Sequence, residues 1–147
     1  MSKLLKDSYN KDFLKKLSKN VHSKNTDFHE QAFIIYCLAK PWLDLSLKER
    51  MKKISCALYK YIPGDFAYKA KLLSEISSEF HGYVACVFPD FISEYGLNHY
   101  EVSIYCMENM TTYSTAEFAV RPFLEKYPDQ MLSQMLLWSQ HHNEHVR

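Results

Sequence analysis

Glycine and proline are scarce, at three and five residues in a chain of 147. So little turn punctuation argues against a hairpin-rich β architecture and for long helices joined by short connections. Close cysteine pairs are lacking as well: Cys37, Cys56, Cys86 and Cys106 form no C-x-x-C spacing. That speaks against a disulfide framework or a zinc site, and buried thiols in a reducing compartment need no further role. No apolar run approaches the length of a membrane span, and the charged start Met1-Ser2-Lys3-Leu4-Leu5-Lys6-Asp7 has no apolar signal core. A soluble, cytoplasmic protein without a membrane partner is expected. Its length suits one domain with a substantial core.

An excess of one charge sign is absent too, since the net charge is +1. Residues 1–60, however, carry 13 Lys+Arg against 6 Asp+Glu, and residues 61–147 carry 5 against 11. The basic half can meet a phosphate backbone, which attracts Lys and Arg whatever the base sequence. On charge alone a solvated basic face is the simpler account.

What is present is helical periodicity. Over Lys11 to Lys24, Phe13, Leu14, Leu17 and Val21 make one apolar stripe, with Lys11, Lys15, Lys16 and Lys19 elsewhere around the helix. Asp27 followed by Glu30 reads as a capping box for a helix through Phe33 to Ala39, apolar on most faces and so expected to be central. Pro41 should mark its end. Ser46 and Glu49 repeat the box ahead of Leu47, Met51, Ile54 and Leu58, with Lys48, Arg50, Lys52 and Lys53 at polar positions. Pro63-Gly64-Asp65 breaks that helix and caps the next, whose stripe is Phe66, Ala70, Leu73 and Ile76. Tyr83 to Phe88 reads as a buried connection into a short helix, Phe91 to Tyr95, closed by Gly96. Leu97 to Met110 makes another helix, with Tyr100, Ile104 and Met107 in the core. Helices thus recur with short turns, as in HEAT-type repeats, and a plain helical bundle competes.

The last third carries the chemistry. Ser114 and Glu117 form a third capping box, and Ala116, Ala119, Val120, Phe123, Leu124 and Tyr127 give the helix a buried stripe. Glu117 and Arg121, four apart, share another face, and an exposed pair between them would contribute only about 0.3–0.5 kcal/mol. Pro122 removes the amide that would pair with the Phe118 carbonyl, so a kink or restart is expected there. Pro128 opens a further helix in which Met131, Leu132, Met135 and Leu136 read as core. Trp138 suits either base stacking or packing between helices. His141, His142, Glu144 and His145 lack the H-E-x-x-H order, so no metal site is read there.

The run Ser114 to Leu124, then Trp138, then Asn143-Glu144-His145-Val146-Arg147, closely resembles the AlkC-type branch of the DNA alkylation repair proteins. Weaker likeness extends upstream through the basic first helix, the Leu47 to Ile62 helix and the Phe88-Pro89 and Tyr95-Gly96-Leu97 turns. The resemblance implies an all-α, HEAT-like (ARM-type) solenoid of antiparallel helix pairs. It implies a DNA N-glycosylase releasing N-alkylated bases such as 3-methyladenine from double-stranded DNA. It implies Glu117 as the catalytic carboxylate and Arg121 and Arg147 near the DNA-facing surface. Phe118 and Trp138 could then meet a cationic base through their rings. Neither metal nor organic cofactor is needed. The family motif runs on past Arg147, so residues 1–147 are expected to be one helical-repeat domain cut short at its C-terminal end. Its last helix face would be exposed and prone to self-association. The alternative is a non-catalytic helical-repeat module that binds DNA or a protein partner.

Overall fold

Helix starts in this chain are set by side chains that accept backbone amides. The structure, a computed structural model, describes residues 5–110 and 117–139. Asn10 Oδ1 accepts the Phe13 amide at 2.9 Å and opens α1 (Lys11–Lys24). Phe13, Leu14, Leu17 and Val21 are buried there, and Lys11, Lys15, Lys16 and Lys19 are exposed, as the periodicity predicts.

Helix α2 (Glu30–Leu38) starts later than the Asp27 signal suggests. Asn25 Oδ1 takes the Asp27 amide at 2.9 Å in a turn that leaves Phe28 buried, and His29 Nδ1 accepts the Ala32 amide at 3.4 Å instead. The helix is not central either: Phe33, Ile34 and Cys37 are buried, but Ile35 is 67% exposed. At α3 (Leu47–Tyr61) both halves of the predicted box form, with Ser46 Oγ accepting from Glu49 at 3.3 Å and Glu49 Oε1 from Ser46 at 2.9 Å. Arg50, expected on the polar side of α3, is instead 3% exposed. Its guanidinium donates to the carbonyls of Trp42, Lys6 and Tyr9 at 3.2, 2.9 and 3.2 Å and lies over the Trp42 ring. A planar fork with five donors can satisfy several loop carbonyls at once, which a hydropathy pattern does not register.

Gly64, at φ +100°, makes the left-handed turn that leads into α4 (Phe66–Ile76), where Asp65 Oδ1 accepts the Tyr68 amide at 2.9 Å. Phe66, Ala70, Leu73 and Ile76 are all buried, as predicted. The segment after His81 is helical rather than a connection. A 3-10 turn over Gly82–Cys86 feeds α5 (Val87–Tyr95). Pro89 is tolerated as its third residue because first-turn amides have no intrahelical acceptor. Gly96 then turns the chain: its amide donates to the Ile92 carbonyl at 2.8 Å, and its own carbonyl accepts from Ser103 Oγ at 2.8 Å. A Cβ at Gly96 would lie 2.6 Å from both the Ile92 oxygen and the Phe66 ring.

Helix α6 (Tyr100–Met110) follows, with Ile104 and Met107 buried and Tyr100 half-buried. It begins at Tyr100 rather than Leu97 because the His99 amide closes a turn onto the Gly96 carbonyl at 2.9 Å. Helix α7 (Glu117–Lys126) runs through Pro122 as one helix, so of the kink or restart expected there the restart does not occur. Helix α8 (Pro128–Ser139) opens on Pro128 as predicted. It buries Met131 and Trp138, two turns apart, but Leu132, Met135 and Leu136 are 56%, 41% and 68% exposed rather than core. No helix among the described residues covers that side.

The helices stack in two layers. One holds α3 against α5 and α5 against α7, with α2 beside α3; the other holds α1 against α4 and α4 against α6. The fold is the expected all-α stack of helix pairs, and the described residues contain no strand. No described helix is long and apolar enough to cross a membrane.

Candidate functional site

Helix α7 carries the sequence-predicted site. Ala119 and Phe123 turn fully inward, with Val120, Leu124 and Tyr127 packed partly buried against the core. Tyr127 Oη donates to the Leu97 carbonyl at 2.5 Å, its ring lies 4.9 Å from that of Tyr100, and Lys126 Nζ donates to Asn98 Oδ1. These contacts fix the C-terminal end of α7 to the α5–α6 corner.

Arg121 stands exposed on α7 and has no ion-pair partner among the described residues. Glu117 heads the same helix four residues earlier, a spacing that puts two positions on one face. The backbones of Glu117 and Phe118 begin α7, while their side chains, the Ser114 cap, the His141 to His145 cluster and Arg147 lie outside the described residues. Trp138 is 6% exposed, and its Nε1–H has no partner among the described residues. The structure therefore brings Arg121 and the Glu117 position together and sets the Trp138 indole in the core.

Next to α7 in the same layer, α5 is tied to α3 by a buried carboxylate. Asp90, 1% exposed in the first turn of α5, accepts from Lys52 Nζ at 2.7 Å and Ser55 Oγ at 2.8 Å. Lys52 also reaches Glu94 at 3.1 Å. Burial alone would depress its ammonium, but hydrogen bonds and charge from Asp90 and Glu94 outweigh that and hold it above the usual lysine value. The pattern reading missed Asp90, although an acid amid Val87, Phe88, Phe91 and Ile92 signals a buried partner.

On the α2 side of α3, Lys53 Nζ lies 4.3 Å and Lys60 Nζ 5.0 Å from the ring centroid of Tyr36 on α2. The other layer is different in character. A groove of about 660 Å³ between α4 and α6 is lined by Lys71, Glu75, Glu101 and Tyr105 among others, mixed charges that do not favour a polyanion.

Three of the four cysteines are poorly suited to thiol chemistry. Burial pushes Cys37 up to about 12 and Cys106 up to about 11, and raises Cys86 too, which keeps these thiols protonated near neutrality. Among the described residues no three His, Cys, Asp or Glu side chains are grouped to hold a metal ion.

No protein-family model matches the chain. YhaZ, an uncharacterised protein of Bacillus subtilis (strain 168), is 40% identical over 143 residues, which is 97% of this chain and 40% of that protein. The alkylpurine DNA glycosylase AlkC of Pseudomonas fluorescens, solved bound to DNA containing an abasic site analogue, is similar in structure with a TM-score of 0.90. That likeness covers 99% of this chain and 40% of AlkC, at 29% identity. The chain thus spans 40% of the length of each of these two proteins.

Proposed function

On the premise that this is an AlkC-type helical-repeat chain, we propose that it acts in DNA repair, in the cytoplasm, as part of a glycosylase. The glycosylase releases N-alkylated bases such as 3-methyladenine from double-stranded DNA. The observation that carries the proposal is the likeness of nearly the whole chain to a glycosylase solved on DNA. Arg121, exposed one turn after the head of α7 and without an ion-pair partner among the described residues, supports the reading as a cation open to a phosphate.

The chemistry asks little of the protein. An N-alkylated purine nucleotide is cationic, so when the C1′–N bond breaks its electron pair neutralises the base, which leaves as a neutral molecule. The sugar left behind has oxocarbenium character. A carboxylate at Glu117 stabilises that charge, positions a water for attack at C1′ and accepts the proton that water gives up. Phe118 offers a ring face to the cationic base, and Arg121 and Arg147 contact the DNA. Trp138 is kept as a candidate on the resemblance alone, because its indole is buried. Nothing in this scheme calls on a metal or organic cofactor. The apolar side of α8 is proposed to meet a second copy of the chain.

The test is base release from methylated duplex DNA. The chain is assayed alone and joined to the part of the Bacillus subtilis relative outside the matched region. Glu117→Gln is expected to lower the release rate by about 10²-fold or more, the scale of losing one electrostatic stabiliser. Release at the wild-type rate would remove Glu117 from catalysis. Duplex binding without any release would favour the non-catalytic DNA-binding module.

A further inference from the structure

Two sets of lysines, all exposed except the half-buried Lys53, face different ways in this fold. Lys11, Lys15 and Lys19 line α1, in the layer of α4 and α6. Lys53 and Lys60 lie on α3 beside α2, in the layer of α5 and α7. We infer that bound duplex runs from α7 across α5 to the α2–α3 edge, where Lys53 and Lys60 take its phosphates. The inference rests on the DNA-binding role proposed above.

The two ammonium groups are held together by tyrosine rings rather than by acids. Lys53 Nζ and Lys60 Nζ sit 4.3 and 5.0 Å from one Tyr36 ring centroid, so they are at most 9.3 Å (4.3 plus 5.0) from each other. Lys60 is also 5.8 Å from the Tyr61 ring, which packs edge-on against Tyr36 with centroids 5.8 Å apart. Neither lysine has an ion-pair partner among the described residues, whereas Lys52 has Asp90 and Glu94, and Lys24 has Glu75. A ring face restrains an ammonium without cancelling its charge. Two like charges within about one Debye length of each other, with no acid paired to them among the described residues, are left to a polyanion.

Layer geometry selects this edge over α1. Packed helix axes lie about 8–10 Å apart, so the two steps from α7 through α5 to α3 span about 16–20 Å. At 3.4 Å per base pair that is about 5–6 base pairs, a continuous footprint on one face of a duplex. Helix α1 packs on α2 as well as on α4, but it lies on the α4–α6 side of α2, in the layer that does not hold α7.

The salt dependence of duplex binding reads this directly, because each phosphate contact adds about 0.9 to the slope of log affinity against log salt. Lys53→Gln with Lys60→Gln keeps much of each aliphatic stem over Tyr36, and is expected to lower that slope by about 1.8. Lys11→Gln with Lys15→Gln is expected to leave the slope unchanged. Lys53→Arg with Lys60→Arg should restore the wild-type slope, which separates lost charge from lost folding. An unchanged slope in the Lys53/Lys60 glutamine variant, or an equal drop in the α1 variant, overturns the inference while the DNA-binding role stands. A wild-type chain that binds no duplex at any salt concentration overturns both.

Discussion

Asp90 on α5 and Ser55 on α3 share a 2.8 Å hydrogen bond at a place where neither is more than 1% exposed. The serine hydroxyl donates to one carboxylate oxygen, and Lys52 takes the other at 2.7 Å. The layer that includes α7 depends on this tie, since α5 lies between α3 and α7.

Asp90→Ala is therefore expected to destabilise the fold by about 1–4 kcal/mol. Orphaning a buried hydroxyl costs about 1–3 kcal/mol. The Lys52 head, half exposed, adds at most about 1 because it can turn to water. Urea unfolding of the two proteins measures the difference. A loss below about 1 kcal/mol would mean the carboxylate is replaceable and α5 is held by apolar packing alone.

Stability in acid should reflect the α3 cap. The Ser46 backbone amide and then its hydroxyl hold the Glu49 carboxyl below the usual glutamate value of 4.5. A group whose folded value is depressed contributes stability above its unfolded value and loses it as pH falls through the folded one. The contribution is thus complete above 4.5 and fades at lower pH. Glu49→Gln should flatten that part of the pH–stability curve, and thermal melts between about pH 3 and 6 would show it. Parallel curves for the two proteins would mean the box does not couple to folding.

Association should follow the apolar side of α8. Leu132, with Met135 and Leu136 three and four residues after it on α8, exposes apolar surface that water disfavours. Leu132→Glu with Leu136→Glu is expected to move the chain toward monomer in sedimentation equilibrium while the melting temperature changes little. If the wild-type chain is already monomeric at high micromolar concentration, the face does not mediate self-association.

Helices with a cap and a stripe could be read from sequence alone. The buried faces of α1, α3 and α4 and the caps at Ser46 and Asp65 follow from spacing and local hydrogen bonds. What escaped depended on partners distant in sequence. Arg50 is buried because carbonyls 41 and 44 residues earlier in the chain need donors. Asp90 is buried because Ser55 lies across from it, 35 residues away. Leu132 and Leu136 look like core in sequence because periodicity shows that a face is apolar, not whether anything covers it. Of the α7 site, the helix and the exposed Arg121 could be read in advance. The pairing of Lys53 and Lys60 over one ring could not, since Tyr36 belongs to a different helix.

Gly96 bears on the shape of the whole stack. Phe66 of α4, Ile92 of α5 and Ser103 of α6 all meet where that residue has no side chain, with no room for even a methyl group. The corner works as a hinge pin set at closest approach, and α5 is the arm that reaches from it to α7. Any residue but glycine would wedge the pin open, and the arm would carry that displacement to the face where Arg121 stands. The setting of the face that carries Arg121 is in this sense adjusted by a single missing atom.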